Sequence, residues 1–238
     1  MKYVLTLVYF FLVLSAFGQS LREAAEQLRN GNYVEAEKLL KACESEEGSE
    51  VDWFLIAAAV YEKQGLFEQA VDVLKKGYEQ NGNRREIAFN LANNLYALDR
   101  REEAVEFYGE VLSVDPAYSP AYLNRGNAYL KLGRLSDAVK DYSRVLVLTP
   151  DHPQKANIER MISLLTEREI VNEQVTDGGG GKTGSGSTDS HIAEERERRL
   201  AEIRKEVEEE LAFLDKSKNL QTDNTTLEDY PMNLDIVE

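Results

Sequence analysis

The sequence predicts an all-α chain built as a stack of about four helix-turn-helix repeats, and three observations carry that prediction. Small residues recur with a step of 34: Ala24, Ala58, Ala92 and Gly126 form one series, and Ala36, Ala70, Ala104 and Ala138 another. Turn residues keep the same step, with Gly31, Gly65, Asp99 and Gly133 once per period and Gly48, Gly82, Pro116 and Pro150 a second time. Between the turns lie apolar-periodic stretches of about 12–14 residues, the signature of amphipathic helices. Leu40, Leu74, Tyr108 and Tyr142 add a fifth series in the same register.

The first 18 residues, MKYVLTLVYFFLVLSAFG, stand apart. Lys2 supplies a positive start, Val4 to Leu14 an apolar run broken by Thr6, and Ala16 and Gly18 two small residues before Gln19. That layout predicts a secretory signal peptide over residues 1–18, cut after Gly18. The apolar run is short of the about 20 residues that a membrane-spanning helix needs. The expected location is therefore exported, periplasmic or attached to the cell envelope, with secretion open. Membrane contact is expected only through the signal if it stays uncut.

The repeat array is expected over residues 19–152, with repeats near 19–50, 51–84, 85–118 and 119–152. The recurring alanines mark places where two helix backbones approach closely, since a larger side chain would overpack them. Tyr61, Leu95 and Tyr129 are expected to fill the spaces between. A glycine after the first helix of each pair supplies a left-handed turn, and a proline after the second blocks its continuation. Helix pairs follow near 20–30 and 33–45, 51–64 and 67–80, 85–98 and 101–114, and 119–132 and 135–148.

The stretch AYLNRGNAYLKLGRLSDAVKDYSRVLVLTPD, residues 121–151, resembles the tetratricopeptide repeat. Tyr122, Gly126, Tyr129, Gly133, Ala138, Tyr142 and Pro150 stand at that family's characteristic positions. Residues 85–118 are a similar copy, 51–84 a looser one, and 20–50 a degenerate one in which Gln27 and Glu23 replace apolar residues. The layout of signal, short array and polar C-terminal segment is similar to exported bacterial members of the family. The resemblance implies a right-handed superhelical solenoid with a concave groove lined by the first helix of each repeat. In that register the groove residues are Leu55 from the second repeat, Phe89, Asn90, Asn93 and Tyr96 from the third, and Leu123, Asn124, Asn127 and Leu130 from the fourth. The amides donate and accept at once, which suits an extended peptide backbone. The family's carboxylate clamp is not expected, because Phe89 stands where a lysine belongs.

Residues 153–173 are expected as a capping helix, with Pro153 in its first turn and Ile158, Met161, Ile162, Leu165 and Ile170 on its apolar face. Residues 174–190 are rich in glycine and serine and predict a flexible linker. Their GGGGKTG core is not a phosphate loop, because Thr176 occupies the position of the required first glycine. Residues 191–215 predict a separate charged helix with a narrow stripe of Ile192, Leu200, Ile203, Val207, Leu211 and Leu214 and charge pairs such as Glu194–Arg198 and Glu195–Arg199. Residues 216–238 predict a disordered acidic tail.

Function is bounded by chemistry. A net charge of -15 argues against nucleic acid and anionic lipid as partners. The single cysteine, Cys43, excludes an intrachain disulfide, and His152 and His191 lack metal-pair spacing. No catalytic, cofactor-binding or metal-binding residues are assigned, and no enzyme is expected. The expected function is a protein-interaction scaffold outside the cytoplasm that holds a peptide or helix of a partner in its groove and assists assembly of an envelope complex. In the alternative, the 191–215 helix folds back onto the groove as an autoinhibitor, or joins copies of the chain into a homo-oligomer.

Overall fold

The computed structural model describes residues 18–43, 51–82, 84–177 and 186–225. Residues 1–17 of the expected signal, the turn at Gly48, the centre of the expected linker at 178–185 and the tail from 226 onward lie outside them. Among the described residues every regular element is helical. They run as α1 (18–29), α2 (Tyr33–Ala42), α3 (Val51–Lys63), α4 (Phe67–Asn81), α5 (Arg85–Ala97), α6 (Arg101–Val114), α7 (Ser119–Lys131), α8 (Leu135–Leu148), α9 (Lys155–Asp177) and α10 (Gly186–Thr225). The first eight pair into four helix-turn-helix repeats. Two compact units result, one within Met1–Pro116 and one within Ala117–Thr222.

The short turns have one chemical cause. Gly133 closes α7 with φ +73°, and Asp99, which bears a side chain, does the same after α5 with φ +64°. In both, the next residue reaches back into the last turn of the helix. Arg134 N–H donates to Tyr129 O at 2.8 Å and Arg100 N–H to Leu95 O at 2.9 Å, the bond that satisfies orphan carbonyls at a helix end. An ion pair between Asp99 and Arg101 accompanies the unusual backbone at Asp99. Pro116 and Pro150 sit two residues beyond the ends of α6 and α8.

In the first unit, α3 packs on α4 and α5, and α5 on α6. Ala24, Ala36, Ala58, Ala70, Ala92 and Ala104 are all buried, as close helix approach requires. Leu21, Leu28, Leu40, Trp53, Phe54 and Val60 share one core. The Trp53 indole donates to Leu40 O at 3.2 Å, so its buried N–H is satisfied. Gly77 of α4 meets Phe54 of α3 so closely that a Cβ there would lie 2.7 Å from Phe54 Cγ. The degenerate first repeat still folds. Gln27, at a position where an apolar residue was expected, is half-exposed and accepts from Asn32 Nδ2 at 2.8 Å.

In the second unit, Ala138, Tyr142 and Val145 of α8 join Ile158, Met161 and Leu165 of α9 in one core. The capping helix has the expected apolar face with two changes. Ile170 is exposed, and Leu164, not singled out from the sequence, is buried in its place. Pro153 lies in the turn before α9 and not in its first turn, since the helix begins at Lys155.

The charged helix departs most from expectation. It was expected over 191–215 as a separate element; α10 instead runs from Gly186 to Thr225 and buries Leu200, Ile203, Val207, Leu211 and Leu214. Ile203, Val207, Leu211 and Leu214 belong to the same core as α8 and α9. Arg199 pairs with Glu167 of α9 at 2.7 Å rather than with Glu195. The reason is hydrophobic: a stripe of five large side chains, each contributing about 1.5–3 kcal/mol when covered, outweighs the solvation of the helix's outer charges. α9 extends to Asp177 and α10 starts at Gly186, so helix enters both ends of the stretch expected as linker, and α10 also enters the first part of the expected tail.

Candidate functional site

Helix α5 carries the first half of the expected groove. Phe89, Asn93 and Tyr96 follow at i, i+4 and i+7, which places them on one helix face. All three are half-buried, as is Asn90. Asn93 Oδ1 accepts from the Tyr108 hydroxyl of α6 at 2.7 Å. Phe89 lies with its ring centre 6.0 Å from that of Tyr108. Asn90 Nδ2 donates to Glu86 O, one turn back along its own helix, at 2.9 Å. Leu55 of α3, also expected in the groove, is buried.

Sequence reasoning missed Asn94 on this helix. It is 2% exposed and joins α5 to α3 through Glu62, while also donating to Asn90 O at 2.9 Å. Its signal was available: a run of two asparagines mid-helix is poor in helix propensity, and one of the two therefore calls for a buried partner.

The second half of the expected groove lies on α7. Leu123, Asn124, Asn127 and Leu130 are all buried. Asn127 repeats the Asn93 arrangement one period on. Its Oδ1 accepts from the Tyr142 hydroxyl at 2.8 Å. Its Nδ2 has a further use: it donates to Asp215 Oδ1 of α10 at 3.2 Å. The face of the fourth repeat therefore lies under a helix of the same chain.

The contacts of α10 have a consistent polarity. Asn157 Nδ2 donates to Glu210 at 2.9 Å, Arg160 reaches Glu206 at 3.1 Å and Glu210 at 3.0 Å, and Arg199 bonds Glu167. As the numbers rise along α9 they fall along α10, so the two helices are antiparallel. The Arg199 guanidinium holds the Glu167 carboxyl below its usual range through their hydrogen bonds.

A different cluster orders the outside of the fourth repeat. Arg125 makes a two-pronged pair with Asp141, Nε to Oδ2 at 2.8 Å and Nη2 to Oδ1 at 2.9 Å. Its guanidinium lies 5.5 Å from the Tyr122 ring centre and 5.6 Å from that of Tyr129, and Arg134 lies 4.3 Å from Tyr129. These are cation–π distances. Burial pushes the Asp141 carboxyl up, against the pull of Arg125.

Among the described residues no group of three His, Cys, Asp or Glu side chains is placed to hold a metal ion. Among the same residues no helix is long and apolar enough to cross a membrane. Cys43 is buried, and its thiol donates to Leu40 O at 3.5 Å.

The third and fourth helical pairs are similar to tetratricopeptide repeats. Family models described as "Tetratricopeptide repeat" match residues 119–152 and 86–118. Such repeats stack into extended surfaces that bind other polypeptides. A stretch of 145 residues, 61% of this chain, is 29% identical to RNA polymerase II-associated protein 3 of Homo sapiens and covers 20% of it. The chain spans about a fifth of the length of the curated relatives that it matches. Among solved structures, a crystal structure of MamA protein is similar with a TM-score of 0.59 at 15% identity, covering 92% of this chain and 97% of that one. A second crystal structure of MamA is similar with a TM-score of 0.56 at 16% identity, covering 82% and 95%. Both likenesses concern the fold.

Proposed function

We propose that this chain is a non-catalytic scaffold that holds a helix or peptide of a partner protein on the first-helix faces of its repeats. The observation that carries this reading is the bond from Asn127 to Asp215. It is a residue expected in the groove, and it already spends its amide on a helix laid over it. The equivalent position in the third repeat is Asn93, flanked by half-buried Phe89, Asn90 and Tyr96. That face offers aromatic surface beside amides, the combination that anchors apolar side chains while pairing with polar backbone.

The reading extends to location. The signal-like composition of residues 1–18 supports export, with the scaffold acting in the cell envelope or beyond it, anchored there only if the signal stays uncut. Assembly of an envelope complex is the role such a place would give it.

The test is crosslinking in intact cells followed by identification of captured proteins. A full-length chain carrying Asn90→Ala and Tyr96→Ala should keep its helix content and capture its partners about tenfold less well. Equal capture by a folded double variant would dispose of the α5 face. An export assay with residues 1–18 removed tests location: loss of export supports it, and unchanged export refutes it.

A further inference from the structure

We propose that the face beneath α10 is a recognition site for an acidic amphipathic helix of a partner protein, with α10 as its resident competitor. This rests on the reading of the chain as a helix-holding scaffold and adds what kind of helix the second unit selects.

Two features of the contact define the ligand. The apolar part is a stripe at positions 200, 203, 207, 211 and 214, a spacing of three, four, four and three that keeps one side of a helix on the face. Over residues 206–215 the polar part is one-sided: Asn127, Asn157 and Arg160 of the unit donate, and Asp215, Glu210 and Glu206 of α10 accept, whereas nearer its start α10 donates from Arg199 to Glu167 of α9. Residues 206–215 contain five carboxylates and no basic residue. The face thus reads large aliphatic side chains together with carboxylates placed beside them. A basic helix would bring like charge against Arg160.

The same contacts make α10 replaceable. It is joined to the unit through the chain between Asp177 and Gly186, and among the described residues its polar contacts with the unit are made by side chains. Its charges pair along its own length, as Arg198–Glu195, Arg199–Glu202 and Lys205–Glu209 do, which supports a helix in water once it is released. Ile203, Val207, Leu211 and Leu214 would leave the core that they share with Ile158, Met161 and Leu165, all fully buried here. Release without a replacement is therefore disfavoured, and exchange for a helix of the same pattern is not.

The experiment uses the full chain and a fluorescent peptide of residues 194–218. Opening the site with Ile203→Asp and Val207→Asp in the chain should tighten peptide binding about tenfold or more over the unchanged chain. A peptide carrying Glu206→Lys, Glu210→Lys and Asp215→Lys should bind the opened chain about tenfold more weakly and recover when the chain also carries Arg160→Glu. Equal binding of the acidic peptide to both chains overturns the proposal. So does equal binding of acidic and basic peptides to the opened chain, or dimerisation of the opened chain in place of peptide binding. Should the opened chain fail to fold, the unchanged chain decides: excess acidic peptide should speed amide exchange over 200–214, and no change at saturation overturns the idea. The α5 double variant reports on the other unit, so failure here and failure of the scaffold reading are separable.

Discussion

The Tyr142 hydroxyl donates to Asn127 Oδ1 at 2.8 Å, and the Tyr108 hydroxyl to Asn93 Oδ1 at 2.7 Å, each pair 15 residues apart and the two pairs 34 residues apart. Both tyrosine side chains are fully buried. The bond ties the second helix of a repeat to the residue expected to face a partner. Tyr142→Phe should cost about 1 kcal/mol in denaturant unfolding, and Tyr108→Phe should cost about the same. Equal stability of both variants and the parent would show that the hydroxyls do not hold the asparagines.

Gly126 lies under the Tyr142 ring, and a Cβ there would come within 2.9 Å of Tyr142 Cε1. Alanine gains about 1 kcal/mol of helix propensity over glycine. The ring cannot yield, because it is buried and pinned through its hydroxyl, so overpacking at about 1–3 kcal/mol should win. Gly126→Ala should therefore lower the melting temperature. A higher one would mean that Tyr142 moves freely.

The Arg125–Asp141 pair has an apolar counterpart one period earlier, where Leu91 and Phe107 stand at the same register. Asp141→Ala strands a largely buried guanidinium and should cost about 3 kcal/mol or more. The double exchange Arg125→Leu with Asp141→Phe copies the third repeat and should cost less than about 1 kcal/mol by the same unfolding measurement. A double variant as unstable as the single one would contradict this.

His152 introduces α9, with Nδ1 accepting from Gln154 N–H at 3.1 Å. Burial pulls its pKa below the ordinary value. The unfolded chain therefore takes up the proton first, so the folded state loses stability as pH falls through about 6.5 and toward the folded value, and loses nothing above it. His152→Asn retains an acceptor without the titration. The stability difference between parent and variant should be constant above neutrality and shift against the parent between about pH 7 and 5. A pH-independent difference would sink the assignment.

The repeats were legible because steric demands recur. Ala104 and Ala138 are small where helices touch, and Gly133 and Asp99 take a left-handed backbone that most side chains resist. The helix bounds follow within a few residues. The place of α10 was not legible, since a narrow stripe such as Leu200, Ile203, Val207, Leu211 and Leu214 fits equally well against its own unit, a second copy or a partner. Nor did periodicity reveal that Asn127 has Tyr142 on one side and Asp215 on the other, because those contacts cross 15 and 88 residues. Of the capping helix, Leu164 was missed although it stands three residues after Met161 on the same face, and Ile170 was included although it lies about 120° round the helix from Leu164 and is exposed.

Amide hydrogen exchange on the full chain measures the seating of α10 directly. Amides from Leu200 to Leu214 should be protected to a degree comparable with those of α8, and Ile203→Asp should abolish that protection while leaving α3 to α6 unchanged. Exchange of 200–214 in the parent at the rate of the free peptide would contradict a helix held on the face of the fourth repeat.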